Sequence, residues 1–160
     1  MKFRSARAQG FTVIELLVVI VVVCILGMFV SLAYSGVQAK NNNTERQKEV
    51  DLIKRQLEAY SAEAQVYPTL AQLNDPAWRA QHLKHVSDGD IQDPRWNNAT
   101  AACTANKKAV FAATPTADCY SYQVTASDGN ACDNGAIACA HYTLTAELEG
   151  GGTYVKTSLN

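Results

Sequence analysis

Glu15 is the residue of this 160-residue chain whose type and position point most directly to chemistry. It is the only charged residue between Arg7 and Lys40, and it lies within an apolar run that covers residues 11–37. A carboxylate inside a membrane helix costs about 2.5–3.5 kcal/mol unless it finds a partner. We therefore expect Glu15 to pair with a positive charge on another subunit.

The apolar run is long enough to cross a bilayer as a helix, which needs about 20 mainly apolar residues. Lys2, Arg4 and Arg7 precede it without any acidic residue. The positive-inside rule therefore places the N-terminus in the cytoplasm and the part after the run outside. Removing these three from the 14 basic residues leaves 11 against 15 acidic residues, a formal charge of −4. That balance disfavours a general nucleic-acid surface.

The residues around Glu15 form a motif, which from Gly10 onward reads Gly-Phe-Thr-Val-Ile-Glu-Leu-Leu. This segment resembles the class III leader of type IV prepilins and pseudopilins. The resemblance implies that a prepilin peptidase cuts after Gly10, that Phe11 is then N-methylated, and that Glu15 serves assembly. A pair between the new Phe11 amine and Glu15 of a neighbour offsets the cost of an acid in lipid. The alternative is a signal anchor whose Glu15 reaches the membrane surface.

A second helical pattern follows the apolar run. Apolar side chains recur at steps of three and four residues, and they are Val50, Ile53, Leu57, Tyr60 and Ala64. The cluster Asn41-Asn42-Asn43 predicts a kink or short break, and Pro68 sets the latest end. We predict one helix from Phe11 to about Val66, apolar on all sides in its first half and amphipathic in its second.

The remainder predicts a small head of the α+β class. Asp75 followed by Pro76 starts a short helix over residues 77–85. Alternating apolar and polar residues predict strands at 109–113, 119–127, 141–149 and 153–158. Three or four antiparallel strands with one apolar face would cover the helical stripe. This arrangement resembles the type IV pilin fold, and Tyr67-Pro68-Thr69 and Asp93-Pro94 more loosely resemble the major pseudopilin of type II secretion.

Four cysteines follow the apolar run, and an even number in a small exported domain indicates two disulfides. They are Cys103, Cys119, Cys132 and Cys139. Three pairings are possible, and sequence alone does not distinguish them. We favour Cys103–Cys119 with Cys132–Cys139, because each closes a local polar loop. The spacing does not match a zinc site.

Two clusters of oxygen ligands offer weak candidates for calcium. The first comprises Asp128, Asn130 and Asp133, and the second comprises Asp88, Asp90 and Asp93. Neither has the twelfth-position glutamate of an EF-hand, and turn formation explains both more simply. His82 and His85 have a spacing that suits a metal, but a solvated helix face explains them better. We predict no cofactor, and no enzyme, because no nucleophile, base and orienting partner can be assembled.

Taken together, the sequence predicts a structural subunit of a type IV pilus-like filament. Its parts are a cleaved leader (1–10), a transmembrane and filament-core helix (11–36), an amphipathic half-helix (37–67) and a globular head (68–160). The resemblance implies a single-pass protein of the cytoplasmic membrane that later enters a cell-surface or periplasmic filament. Its implied partners are other pilin subunits, prepilin peptidase, an inner-membrane assembly platform with its ATPase, and membrane lipid, but no specific nucleic acid. The alternatives are a type II secretion pseudopilin and a monomeric signal-anchored extracytoplasmic binding module.

Overall fold

The computed structural model describes residues 11–95 and 111–159, apart from the side chains of residues 30–33 and 35. The chain divides into two compact units, Met1–Gln38 and Ala39–Asn160. Gly10, Cys103 and the first two residues of the candidate strand at 109–113 lie outside the described residues.

Helix α1 extends over Val13–Ala64, close to the predicted bounds. In the first unit, the large apolar side chains from Phe11 to Phe29 are all at least 48% exposed. Within the described ranges, no helix is found that is both long and apolar enough to cross a membrane.

In the second unit, α1 buries most of the predicted stripe, but its last residue, Ala64, is exposed. Val50, Ile53 and Leu57 are each 0% exposed, and Tyr60 packs at the edge of the same core. Burying each of the aliphatic side chains stabilises the fold by about 1.5–3 kcal/mol. The helix ends at Ala64 because Gln65 adopts a φ of 60°, a left-handed conformation typical of the residue after a helix.

Two short helices follow α1. Helix α2 covers Leu70–Asn74, with Thr69 as its N-cap, and α3 covers Pro76–His82, with Asp75 as its N-cap. The predicted start of α3 is therefore correct to one residue. Its end was predicted three residues too late, because Leu83 leaves the helical conformation at φ −117° and ψ 71°.

Three antiparallel strands form one sheet in the order β1 (Ser121–Thr125), β2 (His141–Glu147) and β3 (Thr153–Thr157). They match three of the four candidates. At the fourth, Ala112 makes an isolated bridge to Ser121 rather than part of a described strand. The sheet turns one face to α1, and the buried residues on that face are Tyr122, Tyr142, Leu144 and Ala146.

The helix is not broken at the asparagine cluster, where the sequence predicts a kink or a short break. Helix α1 continues through it, because two asparagines have partners after β2. The Asn42 Nδ2 atom donates to Glu149 Oε1 at 2.6 Å, while Asn43 exchanges two hydrogen bonds with the Glu149 backbone, at 2.8 and 3.0 Å. These long-range bonds hold the residues in the helix despite their low helix propensity.

Candidate functional site

The residues singled out by the sequence motif meet at the start of α1. The Glu15 carboxylate oxygen Oε2 accepts from the Thr12 N–H at 2.8 Å and from the Thr12 hydroxyl at 2.7 Å. In return, the Glu15 N–H donates to the Thr12 hydroxyl oxygen at 3.2 Å. This reciprocal pattern is a capping box, which satisfies two backbone N–H groups at a helix start. The sequence reasoning identified Glu15 but missed Thr12, although Thr-x-x-Glu is a readable capping signal.

Phe11 and the second carboxylate oxygen of Glu15 remain available at this end of the helix. The Phe11 side chain is 88% exposed. Both hydrogen bonds from Thr12 go to Oε2, and no donor to Oε1 is found among the described residues. Glu15 therefore caps its own helix with one oxygen while the other is open to a positively charged group.

An apolar surface covers every side of α1 beyond this capping box. Its large exposed side chains are Val13, Ile14, Leu16, Leu17, Val18, Val19, Ile20, Val21, Val22, Val23, Ile25, Leu26, Met28, Phe29, Tyr34 and Val37. Cys24 lies in the same stretch as an exposed free thiol. Soluble proteins rarely leave so large a contiguous apolar surface uncovered, and such a surface marks a site of protein or membrane contact.

The second unit satisfies the charged side chains of α1 internally, mainly through tyrosines. Glu58 accepts from the hydroxyl groups of Tyr67 and Tyr142, both at 2.8 Å. Tyr120 donates to Glu49, and the Tyr154 hydroxyl lies 3.1–3.2 Å from the Asp51 carboxylate. The alternation of polar and apolar residues predicted buried tyrosine rings, but it did not predict these carboxylate partners.

Glu49 has the most perturbed carboxyl group in this contact. Desolvation raises the pKa of Glu49 to about 7, against a lowering contribution from its hydrogen bond to Tyr120. The nearby acids Glu45, Asp90 and Asp93 raise the pKa further. Burial likewise raises the pKa of the Tyr120 hydroxyl, so the shared proton stays on the tyrosine.

A buried arginine ties α1 to three other segments. Arg46 is 1% exposed and forms a bidentate pair with Asp93, at 2.6 Å from Nε to Oδ2 and 2.7 Å from Nη2 to Oδ1. Its Nη1 atom also lies 3.2 Å from Glu149 Oε1, and Nη2 lies 3.8 Å from Asp118 Oδ1. Such pairing is what allows a guanidinium to be buried. No local sequence pattern predicts this ion pair, because Asp93 is 47 residues away from Arg46.

The candidate calcium cluster of Asp128, Asn130 and Asp133 is used for local hydrogen bonds. Asp128 accepts from the N–H and side chain of Asn130, which lower its pKa. The Asp133 oxygen Oδ1 accepts from three consecutive backbone N–H groups, those of residues 135–137, each at 2.9 Å, and its pKa is lowered in turn.

The second acidic cluster is divided among different partners. Asp88 pairs with Arg79 at 2.5 Å, Asp90 accepts from Ser87, and Asp93 binds Arg46. In residues 11–95 and 111–159, no group of three or more His, Cys, Asp or Glu side chains is placed to hold a metal ion.

The predicted Cys132–Cys139 disulfide is confirmed. It closes the loop before β2, where Asn134 donates to the Tyr67 carbonyl oxygen at 2.6 Å. Cys119 is disulfide-bonded as well, and Cys103, its predicted partner, lies outside the described residues.

Comparison with known families gives one match, at the N-terminus. Residues 5–31 match the family model of the prokaryotic N-terminal methylation motif. This motif belongs to the class III leader of type IV pilins and pseudopilins, so the resemblance carried by Gly10, Phe11 and Glu15 is confirmed. The α+β architecture, a long N-terminal helix packed on an antiparallel sheet, is consistent with the pilin fold. No curated protein and no solved structure matches the chain.

Proposed function

We propose that this chain is the precursor of a structural subunit of a type IV pilus-like filament. A prepilin peptidase removes residues 1–10, the new Phe11 amine is methylated, and subunits polymerise through the apolar half of α1. Before assembly the subunit resides in the cytoplasmic membrane. An assembly platform with its ATPase then moves it into the filament. The proposal includes no enzymatic activity and no resident cofactor.

One observation carries the proposal: the methylation motif at residues 5–31 coincides with a helix whose apolar side chains are exposed on every side. A motif alone would fit any processed anchor. The exposed apolar surface must also be buried against something. Identical helices from neighbouring subunits can bury it, and their own backbone groups stay hydrogen-bonded. A filament core made of such helices follows from this chemistry.

The open oxygen of Glu15 suggests how neighbouring subunits keep their register. Cleavage creates a cationic amine at Phe11. The nearby Glu15 carboxylate already accepts two hydrogen bonds from Thr12 of its own chain through Oε2. The amine of an arriving subunit fits Oε1, because a charge pair in a water-poor environment is strongly attractive. The type II secretion pseudopilin uses the same chemistry, and genomic neighbours distinguish it from a pilus.

The first test is the mature N-terminus. The full chain is co-expressed with a prepilin peptidase and its mass is measured after membrane extraction. We expect a product that begins at Phe11 and carries one added methyl group. A stable product that still begins at Met1 overturns the proposal and favours the monomeric signal anchor.

The second test removes the charge of Glu15 but keeps its cap. Glu15→Gln suits this purpose better than Glu15→Ala, because glutamine also completes a capping box. We expect membrane insertion to persist while sheared filament yield falls at least tenfold, the effect of about 1.4 kcal/mol per contact. Glu63→Gln, at an exposed position of the same helix, serves as the matched control. Equal filament yields from both variants would contradict the charge pairing.

A further inference from the structure

The capping box determines where α1 begins. Thr12 provides the hydroxyl that accepts from the Glu15 N–H at 3.2 Å, and its own N–H is held by Glu15 Oε2 at 2.8 Å. An N-cap residue has non-helical backbone angles. Accordingly, the helix begins at Val13, and both Phe11 and Thr12 lie outside it.

We propose that Thr12 is a positioning residue for leader removal, because its cap keeps the Gly10–Phe11 bond outside the helix. This inference rests on the proposed function. The methylation motif matched over residues 5–31 includes this bond, and that match is independent of the hydrogen bonds. In the reaction, water adds across the Gly10–Phe11 peptide bond, leaving a carboxylate on Gly10 and an ammonium group on Phe11.

The physical reason lies in how proteins bind a peptide segment. An extended segment offers its N–H and C=O groups to a partner strand and its side chains to alternating pockets. A helical segment engages those backbone groups within itself. A bond two residues before the first helical residue is therefore free to adopt the extended form.

Removing the cap moves the helix start toward the bond. Alanine has the highest helix propensity and lacks a capping oxygen. In Thr12→Ala, glycine at position 10 is the next acceptable N-cap. Phe11 would then be the first helical residue, and the scissile bond would join the cap to the helix.

The test compares initial cleavage rates of the full-length chain in detergent with purified prepilin peptidase. We expect Thr12→Ala to be cleaved more slowly, by up to about fivefold, because a lost threonine cap shifts the equilibrium between the two helix starts by about that factor. Thr12→Ser should restore the rate, because serine caps equally well. Thr44→Ala makes the same change within the helix, where the hydroxyl only donates to the Lys40 carbonyl oxygen at 2.9 Å, and it should be cleaved at the unaltered rate.

A second readout separates helix position from a general loss of structure. The Cα chemical shift of Phe11 in detergent should move toward helical values in Thr12→Ala and stay unchanged in Thr12→Ser. Unaltered cleavage of Thr12→Ala, or slow cleavage of Thr12→Ser, overturns the inference while the proposed function stands. If the unaltered chain is not cleaved after Gly10, the proposed function fails and the inference fails with it.

Discussion

The two units differ in whether the side chains of helix α1 are exposed or are covered by other parts of the chain. In the first unit, α1 exposes its apolar side chains, with Leu17 55% and Leu26 58% exposed. In the second, Leu57 is 0% exposed, and the acids Glu49 and Glu58 accept hydrogen bonds from tyrosines of the head. The described part of the second unit covers the apolar stripe of α1 within one chain, whereas the apolar side chains of the first unit are exposed.

This difference in exposure predicts which substitutions change the stability of the isolated subunit and which change its association. A substitution in the second unit should change the stability of the isolated subunit. The same substitution in the first unit should leave that stability alone and change association instead. The predictions below test this separation, and each measurement of stability uses the full chain in detergent.

The largest effect is expected from Arg46→Ala. It leaves Asp93, which is 3% exposed, as an uncompensated buried charge, and breaking such a pair costs about 3–5 kcal/mol. We expect the melting temperature to fall by more than about 10 °C. Tryptophan fluorescence is a suitable probe, because Trp78 packs against the core of the second unit.

The matched control for Arg46 is Arg55→Ala, at an exposed position of the same helix. It should change the free energy of unfolding by no more than about 0.5 kcal/mol. Equal destabilisation by the two substitutions would show that the buried ion pair contributes nothing specific.

The two units can be compared directly by replacing one leucine of α1 with alanine in each unit. Leu57→Ala should reduce the free energy of unfolding by about 2–5 kcal/mol, because it opens a cavity in the core. Leu17→Ala should leave it unchanged within about 0.5 kcal/mol but weaken filament formation. Urea unfolding and sheared filament yield measure the two effects. A large loss of subunit stability in Leu17→Ala would remove the distinction between the units.

Much of this arrangement could be predicted from local sequence. The stripe of Val50, Ile53 and Leu57 follows the helical period, and the Gly10–Phe11 and Glu15 motif is a compact local signal. Both therefore predicted correct features: a buried face of α1 and a methylation motif at its start. Strands β1 and β2 could also be predicted, because apolar and polar residues alternate along each of them. The turn at Gly150-Gly151-Gly152 indicated the start of β3.

The remaining features depend on residues that are distant in sequence. Asn43 looked like a helix breaker because its partner, Glu149, is 106 residues away. The contact of Glu49 with Tyr120 was not predicted, because the two residues are 71 positions apart in the sequence. Periodicity reports which face of an element is buried, but it does not report which polar groups meet there.

The smallest effect concerns the pH dependence of the tyrosine contact. Since the folded pKa of Glu49, about 7, lies above its ordinary value of 4.5, folding favours the protonated acid. Its stabilising effect is complete below pH 4.5 and is lost as the pH rises through 7. Glu49→Gln keeps a neutral acceptor for Tyr120, so it should stabilise the chain at pH 8 by about 1 kcal/mol.

Urea unfolding at pH 5 and pH 8 measures this difference. At pH 5 the unaltered glutamate is largely neutral, so Glu49→Gln should unfold at nearly the same urea concentration as the unaltered chain. Glu63 is exposed on the same helix, so Glu63→Gln should leave the free energy of unfolding unchanged at both pH values. Destabilisation of the chain by Glu49→Gln at pH 8 would contradict this prediction. It would show that the ionised Glu49 carboxylate stabilises the contact between the head and α1 at that pH.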